Sequence, residues 1–251
     1  MAKEKKTKVP ADEIISLTAA LSKRANYKRF EQWIVGDTPL ITHAWSEKAK
    51  REMLGKQVKA VRGGREVRDP QEDFVNSLYE MGNGTYGFPT MGIKNCIVSA
   101  AHKDRGIART TVIGALWLDA KMVRVRPALE AAVCDMPLTQ IYADAPECRE
   151  DMVKIGAGIS KVANLAFRGQ FTIWAMKIGG KYNSDMMTGE QLAFLLDQAG
   201  MAFGLGEWRN ERKGMFGAFH LADEEETEEW EAYAAGKRAI PVPESYNIAA
   251  E

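Results

Sequence analysis

The strongest constraint on the fold is a junction near the C-terminal end, where a well-marked helix runs directly into a glycine-rich segment. Over residues 188–200, Thr188 supplies a capping hydroxyl, Leu192, Leu195 and Leu196 recur at helical spacing, and Gly200 offers a stop. The chain then reads Gly204-Leu205-Gly206-Glu207-Trp208-Arg209-Asn210-Glu211-Arg212-Lys213-Gly214-Met215-Phe216-Gly217 and continues into a strand over 216–221. Glycine adopts positive φ and admits close approach of a backbone or a phosphate. Paired glycines around cations therefore suit a loop that grips a polyanion, or else a glycine-punctuated hairpin.

Upstream, β-branched and aromatic residues flank Gly36-Asp37 and Thr38-Pro39, giving strand, turn, strand over 30–45. Ser46 caps a helix to about Gln57, and Asp69-Pro70 opens another to about Tyr79. Gly82-Asn83-Gly84 turns into a short strand over 86–89, and 91–102 has helical character. Further strands are expected over 112–117, 122–126, 138–142 and 171–178. Each half reads strand, helix, strand with insertions, so the expected fold is α+β with a ferredoxin-like, RRM-like core, single or duplicated. The divisions are a basic arm over 1–27, an α+β domain over 28–222 with a mobile basic loop at 56–68, and an acidic segment over 223–251.

Charge placement matters more than total charge, because lysine plus arginine equals aspartate plus glutamate at 34 each in 251 residues. Basic residues concentrate at the N-terminus, over 48–68 and over 209–213, while 223–231 is acidic. Within the second cluster, Arg62 and Arg65 flank Gly63-Gly64 in a loop that is either solvated or ordered by a polyanion. Lys94 falls in the first turn of its helix, where the dipole favours an anion, so a phosphate bridging the two relieves the conflict; an exposed lysine is the plainer reading. The acidic run reads as a solvated helix face or as a cover over the basic site.

Enzyme signatures are weak. Cys96, Cys134 and Cys148 lack CxxC spacing, and His43, His102 and His220 are scattered, so neither a disulfide framework nor a metal centre is expected and no cofactor is implied. Lys213 precedes Gly214 rather than following a P-loop glycine, and no Gly-x-Ser-x-Gly elbow occurs. With no apolar run long enough for a bilayer and a charged start, the expectation is a folded, soluble, cytoplasmic protein without a membrane partner.

Two places together resemble the RAMP superfamily of CRISPR-associated RNA-binding proteins: Phe88-Pro89-Thr90-Met91-Gly92-Ile93-Lys94, and the run from Gly204-Leu205-Gly206 to Gly214-Met215-Phe216-Gly217. The resemblance implies a ferredoxin-like fold whose glycine-rich loop follows the last helix and contacts RNA backbone. Here the segment between glycine pairs is long, and the second pair is GxxG where the family more often has GxG. In RAMP ribonucleases a histidine acts as base on the 2′-hydroxyl, and His43 is the candidate by position. Thr38-Pro39-Leu40, Ser46-Glu47-Lys48-Ala49, Tyr86-Gly87-Phe88-Pro89 and Gly206-Glu207-Trp208-Arg209 are also similar to segments in a broad group of uncharacterised phage and prophage proteins. That similarity implies a virus or mobile element as the source and a bacterial host cytoplasm as the compartment.

Two functions from different classes follow. The first is a single-stranded nucleic-acid binder, RNA or DNA, in which Arg209, Arg212 and Lys213 contact the backbone, Trp208 stacks on a base or anchors the loop, Gly204, Gly206, Gly214 and Gly217 shape the loop, and Lys94, Arg62 and Arg65 extend the track. The second is a phage protein-interaction or assembly module, one that can inhibit a host system, with the acidic segment and Ile240-Pro241-Val242-Pro243 facing a phage or host protein partner; a homo-oligomer is the other partner expected.

Overall fold

Strand β1 (Tyr27–Gly36) sets the architecture, because its last four residues are apolar or small and both of its faces are covered. A computed structural model describes residues 25–45, 50–51, 53–55, 69–102, 106–125, 134–155 and 162–242. After β1 come β2 (Leu40–Thr42), α1 (Pro70–Asn76), β3 (Glu80–Gly82), β4 (Thr85–Pro89), α2 (Thr90–Ala100), α3 (Arg109–Ala115), β5 (Leu116–Leu118) and β6 (Lys121–Arg124). They are followed by β7 (Asp135–Ala143), β8 (Glu147–Ile155), β9 (Val162–Phe171), β10 (Trp174–Asn183), α4 (Gly189–Ala202), β11 (Phe219–Leu221) and α5 (Glu224–Ala234). The fold is mixed α/β with antiparallel sheets. The larger sheet runs β11-β1-β10-β7-β4-β3, with β5 also pairing β10 and β6 pairing β7; the smaller runs β2-β9-β8.

One face of the large sheet packs against α2 and α4, burying Ile93, Ile97, Leu192, Leu195 and Leu196 against Ile34, Trp174, Met176 and Phe219. Strand alternation sends Trp33, Val35 and Ala175 to the opposite face, where they meet Ala222 and Trp230. Residue 230 lies in the acidic run, which is therefore a docked helix rather than a tail. Asp223 Oδ1 accepts from the Glu226 amide at 2.9 Å and Glu226 Oε2 from the Asp223 amide at 3.1 Å, a capping box, and Glu224 to Glu226 complement the dipole. Lys177 Nζ reaches Glu231 at 2.9 Å from the sheet. Both ring nitrogens of His220 face carboxylates, Asp37 at 2.7 Å and Glu226 at 3.0 Å. Burial works to lower the His220 pKa, but these two partners outweigh it and raise it above the ordinary value.

Several expectations needed revision. Residues 109–115 are helical where 112–117 reads as a strand, and only Leu116 to Leu118 pair with β10. Burying Val112 and Ala115 on one helical face outweighs the β preference of Thr110, Thr111, Val112 and Ile113. The expected strand over 171–178 is two strands in different sheets, divided at Thr172 and Ile173. The β8–β9 hairpin has no counterpart among the expected strands beyond Phe171, the last residue of β9. Likewise β1 and β2 are strand, turn, strand but belong to separate sheets. The basic loop over 56–68, with Arg62 and Arg65, lies outside the described residues, as do the Ser46 cap and nearly all of the 1–27 arm. Among the described residues no helix is long and apolar enough to cross a membrane.

Candidate functional site

The helix–glycine junction is fixed from both ends. Thr188 Oγ1 accepts from the Gln191 amide at 3.1 Å while Gln191 Oε1 accepts from the Thr188 amide at 2.9 Å, starting α4 with a capping box. Gly200 does not stop this helix: a Cβ there would lie 1.8 Å from the Phe219 carbonyl oxygen, so the glycine lets α4 rest on the backbone of β11. The turn out of the helix comes at Gly204, φ +70°, whose amide donates to the Ala199 carbonyl at 2.9 Å.

From there the loop is sewn to the protein. Amides of Leu205, Glu207 and Gly217 donate to Gly217, Ile41 and Pro39 carbonyls at 2.8–2.9 Å, and Arg212, Lys213 and Gly214 donate within the loop. A side chain at Gly214 would fall 1.6 Å from the Trp208 carbonyl oxygen, and one at Gly217 1.8 Å from that of Leu205. These glycines admit the chain's own carbonyls, which is close approach of backbone to backbone. What the loop offers outward is side chains. Arg209 pairs with Glu211 at 2.6 Å and donates to the Gly206 carbonyl at 2.9 Å, so its charge is neutralised locally. Arg212 and Lys213 are exposed, with no ion-pair partner among the described residues, and Lys213 sits in the left-handed region at φ +64°. Trp208 is exposed beside them. Lys94 is turned away from its own helix start, donating to the Ile113 carbonyl at 3.3 Å.

Beneath the loop lies a cavity of about 500 Å³ that joins the two motif regions: Pro89 and Gly92 on one side, Gly204 to Glu207 on the other. At its wall the Glu207 carboxylate meets His43 Nδ1 at 2.5 Å and accepts from Arg168 Nε at 2.8 Å, and the Tyr79 hydroxyl donates to the His43 carbonyl at 3.1 Å. Residues from β2's end, β9 and the loop thus converge, and His43 is the one member of this cluster that the sequence offers as a candidate catalytic residue. Glu207 is visible as the acid between two loop glycines, whereas nothing in the sequence marks Arg168. Burial of Glu207 works to raise its pKa, but hydrogen bonds from His43 and Arg168 outweigh this and hold it at about 2. At Cys96, on the cavity floor, burial pushes the thiol up to about 12, so it stays protonated and donates toward the Gly204 carbonyl at 3.3 Å. Among the described residues no group of three or more His, Cys, Asp or Glu is placed to hold a metal ion.

The Glu207 arrangement has a pH signature. Its folded pKa is depressed below the ordinary 4.5, so its stabilisation is complete above pH 4.5 and lost as pH falls toward about 2. Glu207→Gln is expected to flatten the acid limb of unfolding in that window, measured by circular dichroism melts from pH 6 to 2; an unchanged acid limb would show the cluster contributes nothing.

No family model and no curated protein sequence matches the chain.

Proposed function

We propose that this is a phage or mobile-element protein that binds single-stranded nucleic acid, RNA or DNA, in the bacterial host cytoplasm, using a RAMP-like glycine-rich loop on a ferredoxin-like core. Topology supports the core. Taken in chain order, β1-α2-β7-β10-α4-β11 is a β-α-β-β-α-β series, and its four strands lie side by side as fourth, first, third, second, all antiparallel. The glycine loop then occupies the connection between the second helix and the fourth strand, where the RAMP resemblance expects it.

The observation that carries the function is the presentation of Arg212 and Lys213. Two cations with no ion-pair partner among the described residues share with exposed Trp208 a loop whose backbone is fixed by hydrogen bonds to β2 and to the residue before it. A cation held in place loses little freedom on meeting a phosphate, and an adjacent indole adds sequence-tolerant stacking. Arg209 serves the same site indirectly, by bracing Glu211 and the Gly206 carbonyl.

Filter binding of single-stranded DNA and RNA across a salt series tests this. Affinity is expected to fall as salt rises, and Arg212→Ala/Lys213→Ala is expected to lower the slope of log affinity against log salt by about 1.4, the share of two phosphates on a single strand. Absence of affinity at low salt, or an unchanged slope in the double variant, would sink the reading.

A further inference from the structure

The cavity and the loop differ in charge. On the loop Arg212 and Lys213 have no ion-pair partner among the described residues, whereas two cations at the cavity are already spent: Arg209 on Glu211 and Arg168 on Glu207. Two carboxylates at the wall, each matched by an arginine, leave the interior close to electroneutral and offer a phosphate no uncommitted arginine there. Its remaining surface is aromatic and neutral polar. Trp45, 58% exposed, and Tyr79 and Phe203 supply rings, while Asn95 and Ser99 stand one turn apart on α2, neither side chain hydrogen-bonded among the described residues. A carboxamide offers a donor and an acceptor side by side, the pattern that matches a base edge, and aromatic rings match a base face. The volume of about 500 Å³ lies within the range of small-molecule sites.

We propose that this cavity receives one unstacked nucleobase of the bound strand, with the ring held among Trp45, Tyr79 and Phe203 and its edge read by Asn95 and Ser99, while the adjoining phosphates stay outside on Arg212 and Lys213. The proposal rests on the single-strand binding reading above. It divides the labour chemically: the backbone is gripped where cations are free, and a flat, uncharged group enters where they are neutralised.

Fluorescence anisotropy with two labelled strands of equal length and charge tests it, one of mixed sequence and one wholly abasic. The base-bearing strand is expected to bind about tenfold or more tightly, the effect of one stacked base. Trp45→Ala/Asn95→Ala, both at exposed positions, is expected to reduce that difference about tenfold, leaving the share that stacks on Trp208, and to leave affinity for the abasic strand and the salt slope unchanged. Equal affinity of the wild-type protein for both strands overturns the base pocket and leaves the binding reading standing. No affinity for either strand overturns both. An undiminished preference for the base-bearing strand in the double variant overturns the pocket, and its loss in Trp208→Ala would then assign all of the stacking to the loop.

Discussion

Trp174→Ala is expected to destabilise the protein by about 3–5 kcal/mol, the range for removing a fully buried tryptophan. The side chain is wholly buried, contacts Phe219 edge-on with ring centroids 6.4 Å apart, and donates its indole N–H to the Thr38 carbonyl at 2.8 Å. Thr38 in turn accepts from the Ala218 amide through its hydroxyl at 2.9 Å, so the indole braces the β1–β2 turn against the strand that ends the glycine loop. Gly36 leaves the space the ring fills, since a Cβ there would lie 2.2 Å from the indole nitrogen. Trp174→Phe keeps much of the apolar contact and loses the hydrogen bond, and is expected to cost less, about 1–3 kcal/mol. Urea unfolding monitored by far-ultraviolet circular dichroism measures both. Equal, small losses for the two variants would mean the site collapses around the deletion and the brace is unimportant.

What was legible in the sequence was punctuation with a local cause. Thr188 and Asp69 cap helices because their side-chain oxygens reach amides two or three residues on, a relation contained in a few residues. The position of the glycine loop after a helix and before a strand was legible for the same reason. Long-range partnership was not. His43 and Glu207 are 164 positions apart, and Arg168 reaches Glu207 from β9 across 39 positions, separations that no local pattern encodes. Residues 109–115 show tertiary packing overruling local preference. Lys94 does lie in a helix, but that helix starts at Thr90, so Lys94 is its fifth residue and past the first turn, and its destination, a carbonyl on α3, depends on how two helices pack. Arg209 illustrates the limit for charge: cations clustered in sequence do not say which of them a neighbouring glutamate has already claimed.

Glycine itself poses the same ambiguity, and Gly217→Ala resolves it. In sequence, a glycine that admits a phosphate and one that admits a carbonyl of its own chain are indistinguishable. At Gly217 φ is +68° and the added Cβ would sit 1.8 Å from the Leu205 carbonyl oxygen, which is backbone and has no flexible end to move aside. The residue is also bonded on both sides, its amide to Pro39 and its carbonyl to Leu205, at 2.9 and 2.8 Å. The substitution is therefore expected to cost about 3 kcal/mol or more, backbone strain plus overpacking. Gly236→Ala is the matched control. Its φ is +69° but nothing lies within 4 Å of the added Cβ, so it meets the conformational penalty alone, about 1 kcal/mol. The difference between the two unfolding free energies isolates the close approach of backbone to backbone. Because Arg212 and Lys213 take their positions from this same backbone, Gly217→Ala is also expected to weaken single-strand binding under conditions where the variant remains folded, while Gly236→Ala leaves it unchanged. Comparable stability for the two variants would place the glycine's value in contact with a ligand instead of in the fold of the loop.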